Sequence, residues 1–264
     1  MTTLLRAIAK LAPEQQRLNA IERLNIRRSD AVELEALYRS LVFKDQLPKR
    51  DDRAEDLFNL IGTTAGEGMY ICNYLQAAMH LEGDICEFGV AQGATSRLLA
   101  GEIRQSNKTL WLFDSFEGLP EPSEHDVLID DIFGLGTMKA YRGTMKSPRT
   151  EVEQQLAAVA FPENRRRIKP GWINETLAAG GDLPQRVIFS YVDFDFYEPI
   201  RDALVWLDPR TPVGGAALVD DYGFFSAGAK KAVDEFVEAT DNRWERIMPV
   251  PAAGHFCVLV KHRD

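Results

Sequence analysis

Four stretches of this chain place reactive residue types where a strand would end. The first is Glu87-Phe88-Gly89-Val90-Ala91-Gln92-Gly93-Ala94-Thr95-Ser96. Two glycines four apart, followed by small residues that open a helix, make a tight turn whose backbone can approach a ligand closely. The spacing is not G-x-G-x-x-G, so the dinucleotide fingerprint is missing and a ligand without a pyrophosphate fits better. Glu87, just before the turn, can accept a hydrogen bond from an ammonium group, directly or through water. The second stretch is Trp111-Leu112-Phe113-Asp114-Ser115-Phe116-Glu117-Gly118-Leu119-Pro120. An acid ending the strand after a glycine turn is a common way to hold ribose hydroxyls through charge-assisted bonds, and Asp114 is that acid. In Lys169-Pro170-Gly171-Trp172, the aromatic face of Trp172 either stacks on or borders a purine, or fills the core.

The last stretch is split in two: Tyr191-Val192-Asp193-Phe194-Asp195-Phe196-Tyr197 and Val219-Asp220-Asp221-Tyr222. If these runs end neighbouring strands, Asp193 and the Asp220/Asp221 pair meet at one edge. Carboxylates that close stay ionised together only around a cation. Oxygen-only ligands favour a hard divalent ion, Mg²⁺ first, with Mn²⁺ or Ca²⁺ as alternatives. No His or Cys accompanies them, which argues against zinc. Asp195, two residues after Asp193, is expected either on the other face of the strand or bonded to backbone, where it would shape the site.

Elements of two textures must position these residues. Strand-like runs at 84–90, 109–114, 166–170, 186–194 and 216–220 alternate with helix-like runs at 94–104, 151–158, 199–207 and 227–240. An apolar helix is expected over 69–81. The alternation implies an α/β fold, a parallel sheet covered by helices on both faces. Two strands around a turn at 243–261 read as antiparallel. Before residue 66 the chain is rich in Leu, Ala, Arg and Glu. Leu18, Ile21 and Leu24, then Val32, Leu37 and Leu41, recur at helical spacing, with helix starts near Pro13 and Ser29. Residues 1–65 are therefore expected to form a helical N-terminal extension, with a polar break at 47–52.

The 264 residues are 45% hydrophobic and 27% charged, an ordinary globular composition. A net charge of −9 gives no reason to bind a phosphate backbone, so no nucleic-acid partner is expected. No run is apolar enough to span a membrane, and the charged N-terminus does not read as a signal peptide. Cys72, Cys86 and Cys257 sit far apart in apolar stretches, expected as buried thiols of a cytoplasmic protein.

Together, Glu87-x-Gly89-x-x-x-Gly93, Asp114-Ser115-Phe116-x-Gly118-Leu119-Pro120, Gly171-Trp172, Asp193-x-Asp195-x-Tyr197-Glu198, Gly214-Gly215, Asp220-Asp221-Tyr222 and the run Lys231–Phe236 resemble the macrocin O-methyltransferase (TylF-type) family. The resemblance covers about residues 66–260. It implies a class I methyltransferase: a Rossmann-like, doubly wound, mostly parallel seven-stranded sheet with one antiparallel strand, making residues 66–264 the S-adenosylmethionine-dependent domain. The cofactor set is Glu87, Gly89, Gly93, Thr95, Ser96, Asp114, Ser115, Phe116 and Trp172. Asp193, Asp220 and Asp221 would hold the metal. The implied reaction moves a methyl group to a hydroxyl of a sugar or glycosylated natural product carrying vicinal oxygens. Asp193 is the candidate base, with His125 and His255 as alternatives. A homo-oligomer, a dimer or larger, is expected. Residues 121–150 depart from the family pattern and are expected to overhang the site and select the acceptor. Two other enzyme readings stay open: a catechol or phenol acceptor behind an aromatic gate of Phe133, Tyr141 and Phe224, and a DxD glycosyltransferase built on Asp193-Phe194-Asp195. A third reading is a scaffold without activity.

Overall fold

The alternating runs close into one seven-stranded sheet in the computed structural model, which describes residues 30–264. The helix expected around Leu18, Ile21 and Leu24 with its start at Pro13, and the Ser29 start of the next helix, lie outside the described residues.

The strands are β1 (Asp84–Phe88), β2 (Leu110–Asp114), β3 (Arg166–Pro170), β4 (Val187–Val192), β5 (Ala216–Val219), β6 (Trp244–Ile247) and β7 (Cys257–Lys261). Their spatial order is β3-β2-β1-β4-β5-β7-β6. Neighbours pair parallel from β3 through β5, and β7 runs antiparallel to both β5 and β6. The strand order reverses between β1 and β4, the point where open α/β sheets bind ligands.

The helices are α1 (Arg53–Phe58), α2 (Ala65–Ala78), α3 (Ala94–Ile103), α4 (Arg149–Ala158), α5 (Ile173–Ala179), α6 (Tyr197–Leu207) and α7 (Ala227–Ala239). Strand side chains alternate between two apolar layers. Ile85, Leu110, Leu112, Tyr191 and Leu218 join α1 to α4 on one face. Cys86, Phe88, Trp111, Phe113, Val192 and Val219 join α5 to α7 on the other. Such strands read as continuous apolar runs because both faces are covered.

Several boundaries differ from those expected. Helix α2 begins at Ala65 rather than 69, because the Thr64 side chain caps it by accepting the N–H of Glu67 at 3.0 Å. Strand β4 stops at Val192, which leaves Asp193 as the first residue beyond the sheet. Residues 30–37 are helical and continue into a π turn at Tyr38–Val42, but Val32, Leu37 and Leu41 face solvent. The buried positions there are Ala31, Glu35 and Phe43. No helix among the described residues is long and apolar enough to cross a membrane.

Candidate active site

Ends of β1, β2, β4 and β5 collect the acids. Glu87 is buried at the end of β1; one of its oxygens accepts from Ser96 Oγ at 2.5 Å, and Oε1 has no partner. Burial pushes its carboxyl well above the usual range. Gly89 and Gly93 both have positive φ, +85° and +79°. A Cβ on Gly89 would overlap the Asp193 carbonyl oxygen, so glycine here lets the end of β4 close onto the end of β1. The turn is thus used first by the protein's own backbone.

Asp114 is engaged from within the chain. Its Oδ2 accepts from Val90 N at 2.7 Å and Ala91 N at 3.0 Å, and its Oδ1 accepts from Phe116 N at 2.6 Å. These bonds hold the glycine turn against the end of β2. Phe116 takes φ +57°, and Ser115 Oγ accepts from Glu117 N at 3.0 Å in the same bend. The N–H of Gly171 reaches the Asp114 carbonyl at 3.0 Å, which brings half-buried Trp172 alongside. Thr95 Oγ1 lies 3.0 Å from Thr63 Oγ1, which lies 3.4 Å from Tyr191 OH. That hydroxyl donates to Asp220 Oδ2 at 3.1 Å and Asp193 Oδ2 at 3.4 Å. One polar chain therefore runs from the turn to the acids.

The carboxylate oxygens of Asp193, Asp195 and Asp221 come within 4.8 Å of one another. This corrects the expected placement of Asp195 on the far face. Residues two apart share a face of a strand, so alternation never supported the far-face placement; the strand stops at Val192, and Asp195, at φ +60°, lies beside Asp193. Asp221 is also left-handed, at φ +57°. Asp220 stands next to this trio rather than within it, turned to Tyr191 OH and to the N–H of Asp221 at 2.8 Å. Burial, then mutual repulsion, pushes the Asp221 carboxyl up to about 10 and raises Asp193 and Asp195 well above the usual range. Asp220 is raised too, by burial. Among the described residues, no lysine or arginine pairs with any of the four.

Sequence reading missed Glu67, Thr63 and Tyr191. Glu67 could have been found as an acid between two glycines in an otherwise apolar helix. Tyr191 lies two residues before Asp193 and so shares its side of β4. Of the alternative bases, His255 stacks on Phe224 at 4.6 Å and its charge reaches Asp220. His125 packs on Tyr197 at 4.4 Å and faces Glu235 instead. The expected aromatic gate does not assemble. Tyr141 is fully buried in its own loop, stacked with Phe133 and donating to Asp131 at 2.6 Å. Segment 121–150, expected to overhang the site, is tied to the loop that follows Asp221: Ile129 N bonds to Phe225 O at 3.0 Å, and Leu128 bridges Ser226.

Comparison with known proteins bears on the family and the fold. The profile of the family described as Macrocin-O-methyltransferase (TylF) matches residues 14–250, a longer span than the motifs alone cover. The demethyldecarbamoylnovobiocin O-methyltransferase of Streptomyces niveus is 30% identical over 182 residues, 67% of this chain and 66% of that protein. The 8-demethyl-8-(2,3-dimethoxy-alpha-L-rhamnosyl)-tetracenomycin-C 4'-O-methyltransferase of Streptomyces olivaceus is 29% identical over 166 residues, 62% of each chain. The matched part is thus under two thirds of either relative's length. The solved structure of the O-methyltransferase NovP aligns with a TM-score of 0.63 at 23% identity, over 88% of this chain and 100% of that one. A calicheamicin methyltransferase aligns at 0.60 and 17%, over 95% and 94%. At these identities the two structures show the shared fold.

Proposed function

The chain belongs to the macrocin O-methyltransferase family, and from that premise we propose that it transfers a methyl group from S-adenosylmethionine to a hydroxyl of a sugar or glycosylated natural product, with a divalent cation, Mg²⁺ first, at the site. The observation that carries this reading is the acid cluster. Asp193, Asp195 and Asp221 crowd together without a protein cation, a donor set that fits a hard ion. Asp193, Asp220 and Asp221 would hold it, with Asp195 completing the group around Asp193 and Asp221.

The cofactor is placed at the neighbouring turn. The unpartnered Oε1 of Glu87 offers an acceptor to its ammonium group. Gly89, Gly93, Thr95 and Ser96 shape the turn, and Asp114, Ser115, Phe116 and Trp172 border the nucleoside. When bound, the cation would lower the pKa of an acceptor hydroxyl and offset the carboxylate charge. Asp193 accepts the hydroxyl proton. The oxygen lone pair then forms the new O–CH₃ bond as the S–CH₃ bond breaks, and its electron pair stays on sulfur, leaving S-adenosylhomocysteine. The protein's main part is alignment, worth roughly 7–11 kcal/mol in well-oriented reactions.

Vicinal oxygens on the acceptor, a homo-oligomer and a cytoplasmic setting belong to the same reading. Exposed Leu37 and Leu41 offer apolar surface that a second copy would cover, and the three cysteines are buried free thiols. A screen of sugar and glycoside acceptors with methyl-labelled S-adenosylmethionine, with Mg²⁺ and with excess EDTA, tests it. Label transfer that EDTA abolishes is expected. Transfer unaffected by EDTA would remove the cation, and binding of a nucleotide sugar in place of S-adenosylhomocysteine would remove methyl transfer.

A further inference from the structure

Glu67 lies beside the acid cluster and, unlike its members, comes from a helix rather than a strand end. It lies in the first turn of α2, is 2% exposed, and its Oε1 has no hydrogen-bond partner. The groups acting on it are Asp220, Asp193 and the Tyr191 hydroxyl, so its carboxyl faces the acids across the top of the sheet. A helix N-terminus favours negative charge, but only by about 0.3–1 kcal/mol when exposed, too little to hold a buried carboxylate against two others.

The chain accepts a cost to put it there. Glycines flank it in a helix, each worth roughly 1 kcal/mol less than alanine at such a position. The reason is close packing. A Cβ on Gly66 would come within 2.8 Å of Ala253 Cα, and one on Gly68 within 2.7 Å of Leu57 and Leu60 side chains. Thr64 ties the same turn to the Ala253 carbonyl, and Thr63 ties it to Thr95 and Tyr191. The turn is thus clamped on three sides with a lone carboxylate oxygen pointing inward. Buried polar atoms in native proteins nearly always have partners, and the partner chemistry this one lacks is a cation.

We propose that Glu67 is a further carboxylate of the cation site, so that a bound divalent ion ties the start of α2 to the ends of β4 and β5. This rests on the cation reading above and adds a residue to it. Ligand charge sets the affinity of such sites, so losing one carboxylate weakens binding.

Mn²⁺ binding to the full chain, followed by the EPR signal of free Mn²⁺, provides the test, with amide hydrogen exchange of residues 63–68 as a second readout. The Glu67→Gln variant keeps size and shape, and Glu67→Asp keeps the charge. Wild type is expected to bind Mn²⁺ and to slow exchange at 63–68. Glu67→Gln should bind at least about tenfold more weakly and lose that protection, while Glu67→Asp falls between them. If Glu67→Gln binds as wild type does, Glu67 is a buried bystander and the inference is overturned while the cation reading stands. If wild type itself binds no Mn²⁺, both fall together.

Discussion

Glu102 is a buried acid and Asp193 a half-buried one in the same α/β layer structure, and the chain treats them in opposite ways. Glu102 receives two bonds from Arg53, at 2.7 and 3.0 Å, and a third from Gln76 at 2.8 Å. Arg53 also reaches Glu35 at 2.9 Å, and Asp56 is held by Arg97 at 2.8 Å and by Arg50. This network pins α1 and the segment before it against α3. Even there burial exceeds attraction at Asp56, whose carboxyl lies above its ordinary range. Asp193, Asp195 and Asp221 have no built-in cation, and the charges acting on them are mainly those of neighbouring acids, while Asp220 is eased by the Asp221 N–H, Glu67, Tyr191 and His255. A chain that can place arginines on buried acids at α1 has left them out at the strand ends. The difference separates acids paired within the fold from acids left without a protein cation, as the proposed ion site requires.

The sharpest way to break that contrast is to exchange outcomes between its two halves. Asp193→Asn should lower methyl transfer by about 10²–10⁴-fold, the scale of a lost general base, without lowering the melting temperature. Labelled-methyl turnover and calorimetry read the two effects. Arg53→Ala should destabilise the chain by about 3–5 kcal/mol, because it strands Glu102 and Glu35 in the interior. Denaturant unfolding measures this. If Asp193→Asn unfolds the protein, or Arg53→Ala is silent, the division of labour is wrong.

The same contrast explains what could be read from the sequence. The sheet, the glycine turn and the acids at 193 and 220–221 were legible because each depends on local signals: apolar runs, glycine, and position after a strand. Asp195 was misplaced, although residues two apart in a strand share a face, and its final direction follows from a left-handed backbone beyond the end of β4. Glu67 and Tyr191 were not, because only tertiary packing brings α2 over the end of β4. On the N-terminal helix the spacing of Val32, Leu37 and Leu41 gave the helix but not its buried face. Glu35 and Arg53 are inside because they pair with each other, which no apolar pattern signals.

A smaller effect is expected from pH. The raised acids of the cluster bind protons in the folded chain that they would release unfolded. The cation-free fold should therefore lose stability as pH rises from about 4, the unfolded carboxylate range, toward the value near 10 at Asp221. Each titrating group contributes at most about 1.4 kcal/mol per pH unit. A saturating divalent ion should flatten that slope, since it replaces the protons. Melting curves from pH 5 to 9, in EDTA and in Mg²⁺, check it. A flat profile in EDTA would mean that the acids are already compensated.

Asp114 lies between the two classes and gives the finest test. It has no arginine, yet three backbone N–H groups donate to it, so its oxygens are engaged without a cation. An acid so engaged can serve the fold alone, or can hold the turn and still accept ribose hydroxyls on its remaining lone pairs. Asp114→Asn separates these. Turning an amide toward three donors should cost about 1–3 kcal/mol of stability in either case. If ribose is also bound there, titration should show S-adenosylhomocysteine weakened by about tenfold or more, with Mn²⁺ affinity changed by less than about twofold. Equal weakening of both ligands would mean that the variant loosens the whole strand edge, and Asp114 would then belong with Glu102 among the acids that serve the fold.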